Sequence, residues 1–263
     1  MQAFRLLCLR FWLLALACIG APMTLRAAEP PVLQICTGDD EGYPWQLQDR
    51  PGVLMYMMRM VELSVGAKFV IAAKPWKRCL LELKDGHVDA VFKASYSAER
   101  AAGGVVYPMQ DGRLDVGKRM LMDSYSLFRL KGGPVEWDGT KLVAAGVIGA
   151  QSGFSVVAQL KGLGAKVDEG TRDAKAGLQK LQRGYVVAVA LQTQEGDSLL
   201  EQNPEFAQSI ERMQPALVAP KPYFLVFSRS YFAEHEARAR LIWSHVELVR
   251  ESAPYKKLLS EFK

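Results

Sequence analysis

The sequence predicts an α/β protein of two lobes joined by a hinge, with a cleft between the lobes. Three observations predict it. Strand-like and helix-like runs alternate along the chain, the same order of runs occurs twice, and two irregular connections separate the repeats. Two connections are what a chain needs to leave one lobe, build a second and return.

Residues 1–27 read as a signal peptide. Arg5 and Arg10 give a positive start, Phe11–Gly20 is an apolar run, and small residues lead to a cut after Ala27. The run is shorter than the about 20 residues a membrane helix needs, so the expected location is the periplasm. Ala15-Leu16-Ala17-Cys18 offers an alternative, a lipid anchor through Cys18, with Ala where a lipobox usually has Leu.

Val32–Thr37 is a short apolar run ended by Gly38 and acids, hence a strand and then a loop. Val53–Val65 has helical length and an apolar face, and its methionines suit core filling. Lys68–Ala73 reads as the next strand, Pro75 opens a helix over Trp76–Lys84, and Val88–Phe92 is a third strand. This β-α-β-α-β order belongs to a parallel sheet. Gly103–Ser124 follows, rich in glycine and polar residues and without clear period.

The rhythm then returns: strand over Leu142–Ile148, helix over Phe154–Leu160, strand over Ala165–Glu169, helix over Ala174–Gln182, strand over Val186–Leu191. Two prolines punctuate the return at Ala219–Pro222, and helices over Phe232–Glu251 and Ala253–Phe262 close the chain. Leu80–Val91 aligns without a gap with Leu178–Val189, and Leu80, Leu83, Gly86, Val88, Ala90 and Val91 recur. The shared content is a helix ended by a left-handed glycine cap and then a buried strand. The expected lobes are 29–118 plus 223–263, and 125–219, with a hinge at 119–124 and 220–222.

The full chain carries a net charge of +5, but residues 1–27 hold three of its arginines and no acid. The remainder has 30 basic and 28 acidic residues and no polybasic run, so nothing points to nucleic acid or an anionic membrane. Two cysteines remain, Cys36 late in a strand and Cys79 on a helix placed to cover it. An oxidising compartment favours a disulfide, and two buried thiols are the other reading. Neither CxxC nor a zinc spacing of histidines occurs, so no metal or cofactor is expected.

Loops at the ends of parallel strands face a crevice in which small ligands sit. Arg100 offers a planar fork suited to a carboxylate. Gln151-Ser152-Gly153-Phe154-Ser155 precedes a helix whose free N–H groups suit an anion, or whose start a serine simply caps. Tyr43, Trp45, Trp76 and Tyr96 are candidate pocket walls, with core packing as the competing account.

In order along the chain, Asp39-Asp40-Glu41-Gly42-Tyr43-Pro44-Trp45, Pro75-Trp76-Lys77-Arg78, Leu83–Ala90, Ser95-Tyr96-Ser97-Ala98-Glu99-Arg100 and Pro222-Tyr223-Phe224 resemble the type II periplasmic solute-binding proteins, in particular the polar amino-acid-binding family. The resemblance implies that family's two-lobed fold with hinge and interlobe cleft. It also implies Arg100 as the carboxylate-binding arginine, Ser95 as a second donor to that carboxylate, and Ser152 and Gly153 as the second-lobe clamp. The implied site is Asp39, Tyr43, Trp45, Trp76, Ser95, Arg100, Ser152, Gly153, Phe154 and Gln192. Gln192 stands where the family's aspartate takes the ligand's ammonium, and Val187 and Tyr56 replace further acids. An amide anchors a buried cation less well than a carboxylate, which fits a carboxylate ligand without a free α-amino group, or one bound differently, with Asp39 or Glu41 as other sources of a carboxylate.

The expected function is capture of a small carboxylate-bearing solute, an amino acid or small organic acid, by a monomer that delivers it to an ABC permease in the inner membrane and catalyses nothing. A ligand-sensing partner of a membrane receptor needs the same cleft. A cyclohexadienyl-dehydratase-like enzyme on this fold is the alternative from another class, with Asp39, Glu41 and Lys93 as ionisable candidates.

Overall fold

The computed structural model describes residues 29–262. The signal-peptide segment and Cys18 lie outside them. The chain opens with strand β1 (Val32–Gly38), helix α1 (Val53–Val65), β2 (Lys68–Lys74), α2 (Trp76–Lys84), β3 (Ala90–Ser95) and a short α3 (Ala98–Ala102). In α1 the buried residues Val53, Leu54, Met57, Met58 and Val61 form one stripe at helical spacing, and Gly66 ends the helix at φ 60°. The methionines therefore fill core.

Short pieces follow: β4 (Val105–Val106), the hairpin β5 (Met109–Gln110) and β6 (Arg113–Leu114), and a 3-10 turn over Val116–Lys118. The second half comprises β7 (Leu121–Leu130), β8 (Val135–Trp137), β9 (Leu142–Ala144), β10 (Ile148–Gln151), α4 (Val156–Gly162), β11 (Val167–Thr171), α5 (Ala174–Gln182) and β12 (Ala188–Gln192). Then come α6 (Thr193–Gln202), α7 (Pro204–Ser209), β13 (Ile210–Arg212), β14 (Val218–Ser228), α8 (Arg229–Glu251) and α9 (Ala253–Ser260).

One curled sheet runs through the molecule in the order β11-β10-β12-β7-β14-β3-β1-β2. Its two halves repeat one plan. On one side β2, β1 and β3 are parallel with β14 antiparallel beside them. On the other, β11, β10 and β12 are parallel with β7 antiparallel beside them. The repeat seen in the sequence has this structural content: α5 begins 98 residues after α2, and β12 begins 98 after β3. Gly86 and Gly184 take φ 73° and 74° after the two helices, the left-handed conformation that glycine adopts at least cost.

The connections differ from expectation. They are strands rather than irregular links: β7 and β14 pair antiparallel, with Tyr223 opposite Leu121 and Lys221 opposite Asp123. The two prolines hid β14, because Pro donates no ladder hydrogen bond. The strand accommodates them with a register shift between Val218 and Lys221. Of the expected strand over Leu142–Ile148, Leu142–Ala144 is β9, paired with β8, and only Ile148 belongs to β10, which runs on to Gln151 in the large sheet.

Cys36 and Cys79 form a disulfide with Cα atoms 5.5 Å apart, tying β1 to α2. Around it Leu83, Val91, Phe224 and Val226 pack as one core cluster. Phe128, Leu178, Leu181, Val189 and Phe206 form the matching cluster in the second half.

Candidate functional site

Four strands of the two parallel sets end beside one cavity. Thr37 and Gly38 finish β1, Ser95 finishes β3 and Gln192 finishes β12, and all four line it. The turn after β10 adds Phe154 and Ser155, and the crossing strands add Tyr125 and Tyr223. The cavity has about 390 Å³ of free space, counting its mouth. Carboxyl ends of parallel strands are where α/β folds place small ligands.

Arg100 is fixed from both halves. Ser97 caps α3, accepting from the Arg100 N–H, and the guanidinium lies 5.8 Å from the Trp76 ring centroid. One guanidinium nitrogen donates to the Ser95 carbonyl at 3.2 Å and another to the Gly153 carbonyl at 2.8 Å. Gly153 sits at φ 79°, and an added Cβ would lie 2.7 Å from Lys77 Cγ. Only glycine lets this turn come so close to the opposite half.

The Ser95 and Ser155 hydroxyls lie 3.0 Å apart, and Lys221 Nζ donates to Ser155 Oγ at 2.8 Å. Ser155 precedes α4 but does not cap it; its hydroxyl is spent across the cleft. Further bonds join the halves at the lip. Arg172 pairs with Asp39 at 2.7 Å, Lys77 with Glu169 at 3.4 Å, and Gln151 donates to Asp40 at 3.3 Å. The cleft is closed.

On the other side, Phe92 and Lys93 both line the cavity although they are consecutive in a strand. Lys93 has φ 62°, and the β14–β3 register shifts opposite it. That bulge turns two neighbouring side chains to one side. Around Lys93 stand Asp40, which also lines the cavity, Asp123 and Glu195. An added Cβ on Gly42 would lie 3.0 Å from Lys93 Nζ and 3.6 Å from the Glu195 carboxyl. Burial pushes the Glu195 carboxyl up to about 8 and Asp123 up to about 6, each against the pull of Lys93, and raises Asp40 likewise. Burial, then Arg100, lowers Lys221 to about 8.

Of the residues expected from the sequence, Trp76, Ser95, Arg100, Phe154 and Gln192 line the cavity. Asp39 and Ser152 border a separate recess at the lip, and Gly153 borders another. Tyr43 and Trp45 are elsewhere. The Tyr43 hydroxyl donates to the Phe262 carbonyl, and Trp45 is buried in the main core. The aromatic turn thus serves packing, and the walls come from Phe92, Tyr125 and Tyr223, which the sequence reading did not name as site residues. Glu195, Asp123 and Lys221 were missed as well. A lysine in the run Val88–Ser95 and another between Pro220 and Pro222 were the available signals. Gln192 Oε1 and the Tyr223 hydroxyl are buried at the cavity without a hydrogen-bond partner in the protein. Among the described residues there is no cluster suited to a metal ion.

Neither a protein-family model nor a curated protein matches the sequence. Solved structures do match. The GluR0 ligand-binding core from Nostoc punctiforme in complex with L-glutamate superposes with a TM-score of 0.70 at 15% identity, over 88% of this chain and 98% of that one. The substrate-binding protein of an amino acid ABC transporter gives 0.68 at 15% identity, over 88% and 98%. A histidine kinase sensor domain with similarity to periplasmic binding proteins gives 0.71 at 14% identity, over 89% and 96%. At this identity the likeness shows the fold, a two-lobed periplasmic-binding-protein fold, and the chain has it.

Proposed function

We propose that this chain is a periplasmic solute-binding protein, in which lobes 29–118 plus 223–263 and 125–219 close on a small carboxylate-bearing solute. The observation that carries the reading is the placement of Arg100. Its guanidinium lines the cavity and also bridges the carbonyls of Ser95 and Gly153, one from each half. Closure and ligand contact therefore run through one side chain, as a clamshell binder needs. Trp76, Phe92, Phe154, Tyr125 and Tyr223 give the cavity an aromatic lining that accepts the carbon skeleton of such a solute.

Delivery to an ABC permease is the proposed use, by analogy with the transporter component of the same fold. Sensing is the second reading, favoured by the likeness to a kinase sensor domain. Export by the N-terminal segment and a monomeric state belong to the same proposal. No helix of the described residues is long and apolar enough to cross a membrane. The proposal includes no turnover, and incubation with prephenate tests the dehydratase alternative directly.

A thermal-shift screen of amino acids, opines and small organic acids tests the binding reading. A ligand at about 100 times its dissociation constant stabilises by about 2.7 kcal/mol. A shift produced by carboxylates and lost in Arg100→Ala supports it. No shift from any of these solutes contradicts it.

A further inference from the structure

The site's three cations are not equally balanced. Lys93 faces Asp40, Asp123 and Glu195. Arg100 and Lys221 form no ion pair among the described residues, although Asp123 stands opposite Lys221 in the β7–β14 pair and acts on it from there. Arg100 gives two of its five N–H donors to carbonyls, while Lys221 rests 4.9 Å from the Tyr125 ring centroid and donates to Ser155. The turn Gly153-Phe154-Ser155 carries both acceptors, so the two charges converge on one corner of the closed cleft. Both side chains are partly buried.

An ammonium has donors and no acceptor, so Ser155 Oγ accepts from Lys221. Of the two hydroxyl hydrogens on Ser155 and Ser95, one joins their oxygens and the other is left for the ligand. The pair therefore presents a donor polarised by a cation behind it. Buried charge is stable when it is paired. A zwitterion brings no net charge to this corner, and a monocarboxylate balances one cation of two. Gln192 is uncharged and gives an ammonium group no counter-ion, and Asp40, the acid that lines the cavity, faces Lys93, which lines it too, and accepts from Gln151.

We infer that Lys221, acting through Ser155 and Ser95 beside Arg100, makes the cavity selective for a small dicarboxylic acid without an ammonium group. This rests on the solute-binding reading and narrows it. Arg100 forks one carboxylate, the hydroxyl pair with Lys221 behind it receives oxygen of the other, and the aromatic walls take the short carbon spacer. Lys221 is thus a specificity-determining residue contributed by the crossing strand β14, at a position where closure and charge recognition meet.

The test is calorimetric titration of the purified full chain at pH 7 with succinate, glutarate, butyrate and glutamate. The expected result is binding of succinate or glutarate at least about tenfold tighter than butyrate and glutamate, the difference one charge-assisted hydrogen bond makes. Lys221→Met should collapse the dicarboxylate-to-butyrate ratio, and Lys221→Arg should keep most of it. Equal or tighter binding of butyrate or glutamate by the wild type overturns the inference while leaving the solute-binding reading intact. So does a ratio unchanged in a Lys221→Met protein that melts normally. If Lys221→Met does not fold, the wild-type ratio decides. Absence of binding by all four acids overturns the inference and leaves the solute-binding reading to the wider thermal-shift screen and its Arg100→Ala control.

Discussion

Arg100 donates a hydrogen bond to the backbone carbonyl of Gly153 at 2.8 Å, although the two residues lie 53 positions apart and on opposite sides of the cleft. The contact makes one side chain both ligand anchor and latch. It also explains why the turn carries glycine: Gly153 needs φ 79°, and a Cβ there would press on Lys77.

Arg100→Ala should abolish binding of any carboxylate solute. The empty protein should lose only a small part of its stability, because both of the removed bonds end on carbonyls at a partly exposed cleft. Arg100→Lys should recover little affinity, since an ammonium cannot reproduce a planar two-oxygen fork. Titration of the two variants checks this, and full affinity in Arg100→Ala would remove the residue from the site.

Gly153→Ala should weaken binding more than it lowers the melting temperature. The left-handed backbone costs roughly 1–2 kcal/mol for a residue with a Cβ, and contact with Lys77 adds a cost that exists only when the halves are together. Double substitution with Lys77→Ala should return part of the lost affinity. Additive effects of the two changes would show that the contact does not matter.

Reduction of the Cys36–Cys79 bond, or Cys79→Ala, should cost about 2–4 kcal/mol of stability for a loop with a sequence separation of 43 residues. Denaturant unfolding with and without reductant measures it. Ligand affinity should change little, because neither cysteine itself lines the cavity.

Stability should fall as pH rises from about 5 to 8. The folded protein holds the Glu195 proton up to about 8, whereas the unfolded chain loses it near 4.5, so folding takes up a proton across that window. Asp123, raised to about 6, acts in the same direction at the acid end. The groups that act on Glu195 are Lys93, Asp40, Asp123 and Asp173. Glu195→Gln should flatten the dependence, and melting temperatures of both proteins at pH 5 and 8 check the sign.

Most of the parallel strands and the helices α1, α2, α5 and α9 were legible in the sequence because each buries one face at a regular period and ends at glycine, proline or a serine cap; β10 was not, since the expected strand reached only its first residue, Ile148. The repeat at 98 residues was legible for the same reason. β14 was not, since Pro220 and Pro222 read as a break and only its antiparallel partner β7 makes that stretch a strand. Among the expected residues, Arg100, Ser95, Trp76, Phe154 and Gln192 reach the cavity lining, because strand ends and helix starts locate them locally. Lys93 was named only as an ionisable candidate of the enzyme alternative, and Lys221 and Glu195 were not named, because a bulge, a crossing strand and a helix after the last parallel strand bring them together from distant positions. Tyr43 and Trp45 were misplaced as walls because an aromatic turn looks alike whether it faces a cleft or a core.

Solution scattering measures whether the two halves close on an acid held by Arg100. With a carboxylate identified by thermal shift, the radius of gyration of the wild-type protein should fall on saturation, while that of Arg100→Ala should stay the same. A particle whose dimensions do not change when a bound ligand saturates it would contradict the account.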